Sequence, residues 1–346
     1  MENYIIWISG ALFFGQIFKT LSMPVLVGFI FSGYVFNLLG FADYNNILEK
    51  PGNIGIDLLL FSIGLHIKPA KLFNFGYFSI VLFHTLLVSI IYLLFINLDF
   101  LIEIKVLFCV ALTFSSTIIA SKSLESRKEI NSFHGKISII ILIFQDILLL
   151  CLLLYSSSMN PSKYSFILLF IPLLIHFFKK LLYKLNNNDE LSILTSLFLA
   201  LFLGSFAFEK FGLSGEIGAL LIGILMSNYK FADQLAKKIW SIRELFLLFF
   251  FISLGMKLNL DLEIFVYSLF ILLFIIIKTI ILFFLLIVLK LRAYTAFLIS
   301  ISLTTYSEFL LVLSSIWEKS GIINTLYFSI VVCSVCLSFI IGSILN

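Results

Sequence analysis

The sequence predicts an all-α polytopic membrane protein built as an inverted-topology repeat, and three observations carry that prediction. Of its 346 residues, 61% are hydrophobic and only 12% charged, with a mean hydropathy of +1.15, which excludes a soluble globular domain. Apolar runs long enough to cross a bilayer as helices recur between charged, Pro, Gly or Asn breaks, about thirteen of them. A set of local patterns also recurs at an offset of 190 to 191 residues.

The runs lie near 4–18, 23–40, 52–66, 74–97, 103–121, 133–156, 163–183, 191–208, 212–228, 241–256, 263–289, 293–316 and 322–345. The first follows an acidic Glu2 with no Lys or Arg before it. A cleavable signal peptide needs a basic leading region, so this run reads as a retained span. Lys and Arg are distributed unevenly between the connections. The odd-numbered ones hold sixteen and the even-numbered ones six, while Lys278 lies inside a run. By the positive-inside rule the odd connections are cytoplasmic, which predicts the N-terminus outside and the C-terminus inside.

The repeat rests on three matches. Gly28 and Gly33 in VGFIFSG correspond to Gly218 and Gly223 in IGALLIG, and SIGL (Ser62 to Leu65) corresponds to SLGM (Ser253 to Met256). Thr113 and Ser116 in LTFSST correspond to Thr304 and Ser307 in LTTYSE. Segments one to six therefore pair with eight to thirteen, and the seventh, about 163–184, is a linker. Because six is even, the odd linker inverts the second copy across the membrane, as in many secondary transporters.

Two acids and a lysine lie deep within these runs. Gln145 and Asp146 sit in the middle of FHGKISIIILIFQDILLLCLLLYS (Phe133 to Ser156), close to the bilayer midplane. An ionisable side chain at that depth is costly, usually faces a bundle interior or water cavity, and marks an ion or proton path; the bland alternative is a structural residue paired with a Lys or capped by hydroxyls. Segments five (LTFSSTIIAS, Leu112 to Ser121) and twelve (SLTTYSEFLLVLSS, Ser302 to Ser315) are rich in hydroxyls. Such side chains compete for backbone hydrogen bonds, so both helices are expected to break near Thr113 to Ser116 and Thr304 to Ser307, unless the hydroxyls merely bond their own preceding carbonyls. Lys278 is too deep to snorkel and needs a counter-charge, for which Asp146 and Glu308 are the candidates; a structural ion pair is the rival role.

Other chemistries find little support. The net charge of +4 follows the topology bias and implies no nucleic-acid partner. The four cysteines (Cys109, Cys151, Cys333, Cys336) all fall in apolar runs, and the CxxC of the last two lacks a companion His or second pair for a metal. His84 and His176 are isolated in apolar surroundings, and His66 and His134 lie at run ends, which argues against an intramembrane enzyme. No cofactor is expected.

FSIGLHIKPAKL, the FQD of Phe144 to Asp146, GALLIGILMSN followed by FFISLGM, and the Ser307-Glu308-Phe309 step together resemble the monovalent cation:proton antiporters, in particular the Kef-type potassium efflux branch. The resemblance covers nearly the whole chain. It implies a dimer-forming scaffold (about 1–72 and 191–260) and a mobile core (about 74–156 and 263–346) that carries the ion by elevator-type alternating access in a bacterial cytoplasmic membrane. It matches Asp146 to the ion-binding aspartate, with Gln145, Thr113, Ser115 and Ser116 beside it, and Lys278 to the embedded lysine. Sodium-transporting relatives carry two adjacent acids where this chain has Gln145-Asp146, so K⁺ is expected ahead of Na⁺. The Kef proteins continue into a nucleotide-binding regulatory domain, whereas this sequence ends at Asn346 just after its last run; regulation by glutathione or nucleotide has no support within it and is left to a separate subunit or to a longer form of the chain.

The expected activity is exchange of a monovalent cation for protons, one for one and electroneutral. A carboxyl group in a low-dielectric site is neutralised by a proton or by a bound cation but not by both, which couples the two. The competing reading is a gated potassium channel, against which stand the inverted repeat and the lack of a repeated carbonyl-filter sequence.

Overall fold

The computed structural model describes residues 2–41, 45–66, 75–96, 102–156, 162, 168, 170–185 and 188–345. Lys68, Lys71 and Lys163, and with them the end of the FSIGLHIKPAKL motif and the start of segment seven, lie outside the described residues. The described residues form fifteen helices and no strand. These are α1 (Glu2–Thr20), α2 (Val25–Leu38), α3 (Asn45–His66), α4 (Phe75–Phe95), α5 (Ile102–Ala111), α6 (Thr117–Ser126), α7 (Phe133–Ser156) and α8 (Ile171–Leu185). There follow α9 (Asp189–Lys210), α10 (Gly215–Met226), α11 (Ala232–Met256), α12 (Leu262–Val288), α13 (Ala293–Ser302), α14 (Phe309–Lys319) and α15 (Thr325–Leu345). Six of them, α4, α7, α9, α11, α12 and α15, are long and apolar enough to cross a membrane.

Segments five and twelve are both broken, which is why the helices outnumber the apolar runs. The chain leaves the helix after Ala111 and resumes it at Thr117, then does the same between Ser302 and Phe309. Local hydroxyls take over the backbone at each break. Thr113 Oγ1 donates to the Val110 carbonyl (2.7 Å) and Thr304 Oγ1 to that of Ile301 (2.7 Å). On the far side Ser116 Oγ accepts from the Ile119 N–H (3.2 Å), an N-cap that starts α6. α9 departs from regularity differently, with a π-helical stretch over Phe198–Phe206.

The chain divides into two compact units: residues 1–42, 74–152 and 254–346 form one, and 43–73 and 153–253 the other. The first contains both breaks. Within it α12 is fastened by polar side chains along one face: Tyr306 Oη donates to the Ile271 carbonyl (2.7 Å) and Tyr92 Oη to that of Phe274 (2.9 Å). His84 Nε2 lies 3.1 Å from the Lys278 carbonyl, which requires the proton on that nitrogen. The second unit packs Leu58, Phe61 and Leu65 of α3 against Ala219, Ile222 and Met226 of α10 and Leu199 of α9.

Glycines make one contact twice, once in each unit. A Cβ on Gly255 would collide with the Ile30 carbonyl oxygen and the Gly33 Cα; a Cβ on Gly64 would collide with the Leu220 carbonyl oxygen and the Gly223 Cα. The offset of 190 to 191 residues relates Ile30 to Leu220, Gly33 to Gly223 and Gly64 to Gly255. Thus the second helix of each copy packs on the third helix of the other, as a two-fold relation between copies requires. Gly64→Leu and Gly255→Leu are each expected to cost about 1–3 kcal/mol, because the neighbouring atoms are backbone and have no rotamer to yield. Both should lower the thermal unfolding midpoint of the purified protein, whereas Leu273→Ala at an exposed position of α12 should leave it unchanged.

Candidate functional site: two acids at a helix break and a lysine on its carbonyls

Asp146 lies in the middle of α7, 9% exposed, and faces the start of α6. The Thr117 hydroxyl is 3.3 and 3.2 Å from its two carboxylate oxygens. One residue on, the Ile118 N–H donates to Glu308 Oε1 at 3.3 Å. The two acids thus come from α7 and from the break before α14 and meet at the first turn of α6. Such a turn carries N–H groups without intrahelical partners and the positive end of the helix dipole, so it favours negative charge. An uninterrupted segment five would have no such end here.

The opposite ends of the broken helices are held by Lys278. Its side chain is buried, and its Nζ donates to the carbonyls of Phe114 (3.0 Å) and Thr305 (2.9 Å) and stands 5.3 Å from the centre of the Tyr306 ring. Phe114 and Thr305 are equivalent positions of the two copies, so one ammonium serves the same carbonyl in both breaks. Carbonyls released by the breaks, just beyond the ends of α5 and α13, are thus direct partners of this ammonium and bring partial negative charge to it.

The remaining sequence-predicted residues gather at the breaks, mostly in backbone roles. Gln145 Oε1 accepts from the Ser115 N–H (3.0 Å), while Ser115 Oγ donates to the Leu303 carbonyl (2.7 Å) and so ties one break to the other. Ser307 Oγ accepts from the Phe309 N–H (3.2 Å) at the start of α14. Thr113, Ser115, Ser116 and Gln145 have no direct hydrogen bond to Asp146 among the described residues; their polar atoms organise the loop beside it.

Sequence reasoning passed over Thr117, whose hydroxyl meets Asp146. It closes the TFSST cluster, but which member faces the acid depends on where the helix resumes. His84, Tyr92 and Tyr306 were missed as well. The i, i+8 spacing of His84 and Tyr92 on α4 was the visible signal that one helix face carries polar groups. A third buried acid, Asp57 on α3, lies in the other unit, hydrogen-bonded to Ser205. No group of three His, Cys, Asp or Glu side chains able to hold a metal converges among the described residues.

Comparison with known proteins fits this geometry. Residues 8–346 match the family model described as sodium/hydrogen exchanger, transmembrane. The K(+) efflux antiporter 5 of Arabidopsis thaliana is 27% identical over 285 residues, 71% of this chain and 47% of the relative. K(+) efflux antiporter 6 of the same plant is 28% identical over 292 residues, 75% of this chain and 47% of the relative. The chain therefore spans about half the length of these relatives. In fold it resembles the sodium proton antiporter MjNhaP1 from Methanocaldococcus jannaschii, with a TM-score of 0.67 and 18% identity over 98% of this chain and 94% of that one. With nearly all of its length matched by the family model, this multi-pass membrane protein belongs to the sodium/hydrogen exchanger transmembrane family, a family of transporters and not of enzymes.

Proposed function

We propose that the chain exchanges a monovalent cation, K⁺ in preference to Na⁺, for protons across the membrane, with Asp146 as the group that holds either one. The observation that carries the reading is the placement of Asp146 and Thr117: a buried carboxylate beside a hydroxyl, at the end of a broken helix. A hydroxyl donates to a carboxylate or offers a lone pair to a bound cation, so it serves both states of the acid. Kinship with two K(+) efflux antiporters supports the choice of K⁺, as does Gln145, which occupies the position beside Asp146 without a second charge.

In this reading the core (about 74–156 and 263–346) moves as a body against the scaffold (about 1–72 and 191–260), and the helix between them, about 163–184, links the two halves. The protein works as a homodimer in a bacterial cytoplasmic membrane, with the N-terminus outside and the C-terminus inside. Asp146 alternates between protonated and cation-bound, and these states carry the same charge. Lys278 remains on its two carbonyls throughout, so its charge does not enter the count.

Three outcomes are expected in proteoliposomes. Asp146→Asn abolishes cation-driven proton movement, bringing it to the level of protein-free vesicles, while the purified variant keeps its helical content; pH-dependent exchange by that variant would refute the assignment. Lys278→Met leaves two buried carbonyls unsatisfied and lowers stability by about 1–3 kcal/mol per carbonyl, read as a lower unfolding midpoint. An imposed membrane potential, with cation and pH equal on both sides, drives no proton movement although a cation gradient does. Potential-driven proton movement that required both protein and cation would refute one-for-one exchange.

A further inference from the structure

The second unit contains a basic cavity outside the proposed exchange site. It has a volume of about 320 Å³ and is lined by Ser62, His66, Ala236, Lys237, Trp240 and Arg243. α3 and α11 build it. Their backbones touch where Gly52 lies against Phe250 and Gly55 against Leu247, positions that run in opposite directions along the two helices. The same antiparallel pairing carries Ser62 and His66 past Arg243, Trp240 and Ala236, where long side chains replace glycine and space opens between them.

Among the described residues the charged side chains that line the cavity are Arg243 and Lys237, with His66 at the end of α3, while the neighbouring Glu244 pairs with Arg243 from outside the lining. The Arg243 side chain is only 13% exposed and is held by two hydrogen bonds: Nη1 donates to Ser62 Oγ (3.1 Å) and Nη2 to Glu244 Oε1 (2.7 Å). Its Nε is buried and has no partner among the described residues. His66 Nδ1 donates to the Ser62 carbonyl (2.7 Å), which fixes the ring and leaves Nε2 as its other polar atom. Trp240, 51% exposed, adds an aromatic wall at the rim. Lys230 precedes α11 and Lys238 follows Lys237 within it, the latter paired with Asp189 (2.9 Å).

We propose that this cavity binds a phosphate-ester anion, with the headgroup of an anionic phospholipid as the expected source. A fixed guanidinium with a donor to spare suits phosphate oxygens, and a mobile lysine adds point charge. Trp at the end of membrane helices matches the headgroup depth, where its apolar body and N–H are both accommodated. The cavity is remote in sequence from Asp146 and Lys278, so binding can be read whether or not the exchange reading holds.

The test uses the purified chain in detergent, with acrylamide quenching of tryptophan fluorescence as the readout. Trp7 and Trp317 are each 1% exposed, so quenching reports on Trp240, and Trp240→Phe provides the control. Phosphatidylglycerol is expected to protect Trp240 and phosphatidylcholine is not. Lys237→Gln, at an exposed position, should weaken that protection about tenfold without affecting folding. Arg243→Gln should weaken it at least as much, judged only if its unfolding midpoint shows that it folds. Protection by glycerol phosphate at similar concentration would assign the cavity to a soluble phosphate ester instead of a lipid. Absence of protection by either, or equal protection of wild type and Lys237→Gln, would overturn the proposal.

Discussion

The site depends on one contact, the Lys278 ammonium on the Phe114 and Thr305 carbonyls. Breaking two helices inside a membrane leaves backbone groups without partners in a medium that offers no water, and each such group costs several kcal/mol. Those costs are met in two ways here. Hydroxyls near each break satisfy groups one at a time, as Thr113 and Thr304 do for the carbonyls three residues earlier. Lys278 satisfies two at once, one from each copy of the repeat. A buried ammonium would itself be prohibitive without acceptors, so the breaks and the lysine each make the other tolerable.

The same division of charge explains why the acids lie where they do. Each broken helix has a positive end and a negative end inside the protein. With Lys278 at the negative ends of α5 and α13, the positive end of α6 is left for Asp146 and Glu308. Helix ends of opposite polarity thus give the ammonium and the carboxylates different partners. In the proposed exchange this leaves Asp146 to the proton and the cation, with which a direct ion pair to lysine would compete.

Much of this was legible in the sequence because a membrane leaves few alternatives. Apolar runs must become helices, so Phe133 to Ser156 was recognisable to the residue as α7, and hydroxyl clusters repeated at one offset signalled breaks at Thr113 to Ser116 and Thr304 to Ser307. What was not legible depends on the register of the broken segments. A cluster of four hydroxyls, from Thr113 to Thr117, does not say which faces α7 until the helix restart is known, and the member at Asp146 was the last. The partner of Lys278 was obscured for a related reason: side-chain charges are visible in a sequence, whereas the partial charge of a freed carbonyl exists only once the helix breaks.

The duplicated glycine contact shows the repeat at work on packing as well as on the site. In a membrane, helices gain little from burying apolar surface against one another, because lipid is equally apolar, so close backbone approach carries more of the association. Gly33 against Gly255 and Gly223 against Gly64 provide that approach at equivalent positions. Each pair joins a helix of one copy to a helix of the other, so neither copy can pack these faces alone. Lys278 joins the copies in the same manner at the breaks. The two-fold relation is therefore a set of shared contacts, in which the glycines bring backbones together and the lysine joins the two helix ends that the breaks expose.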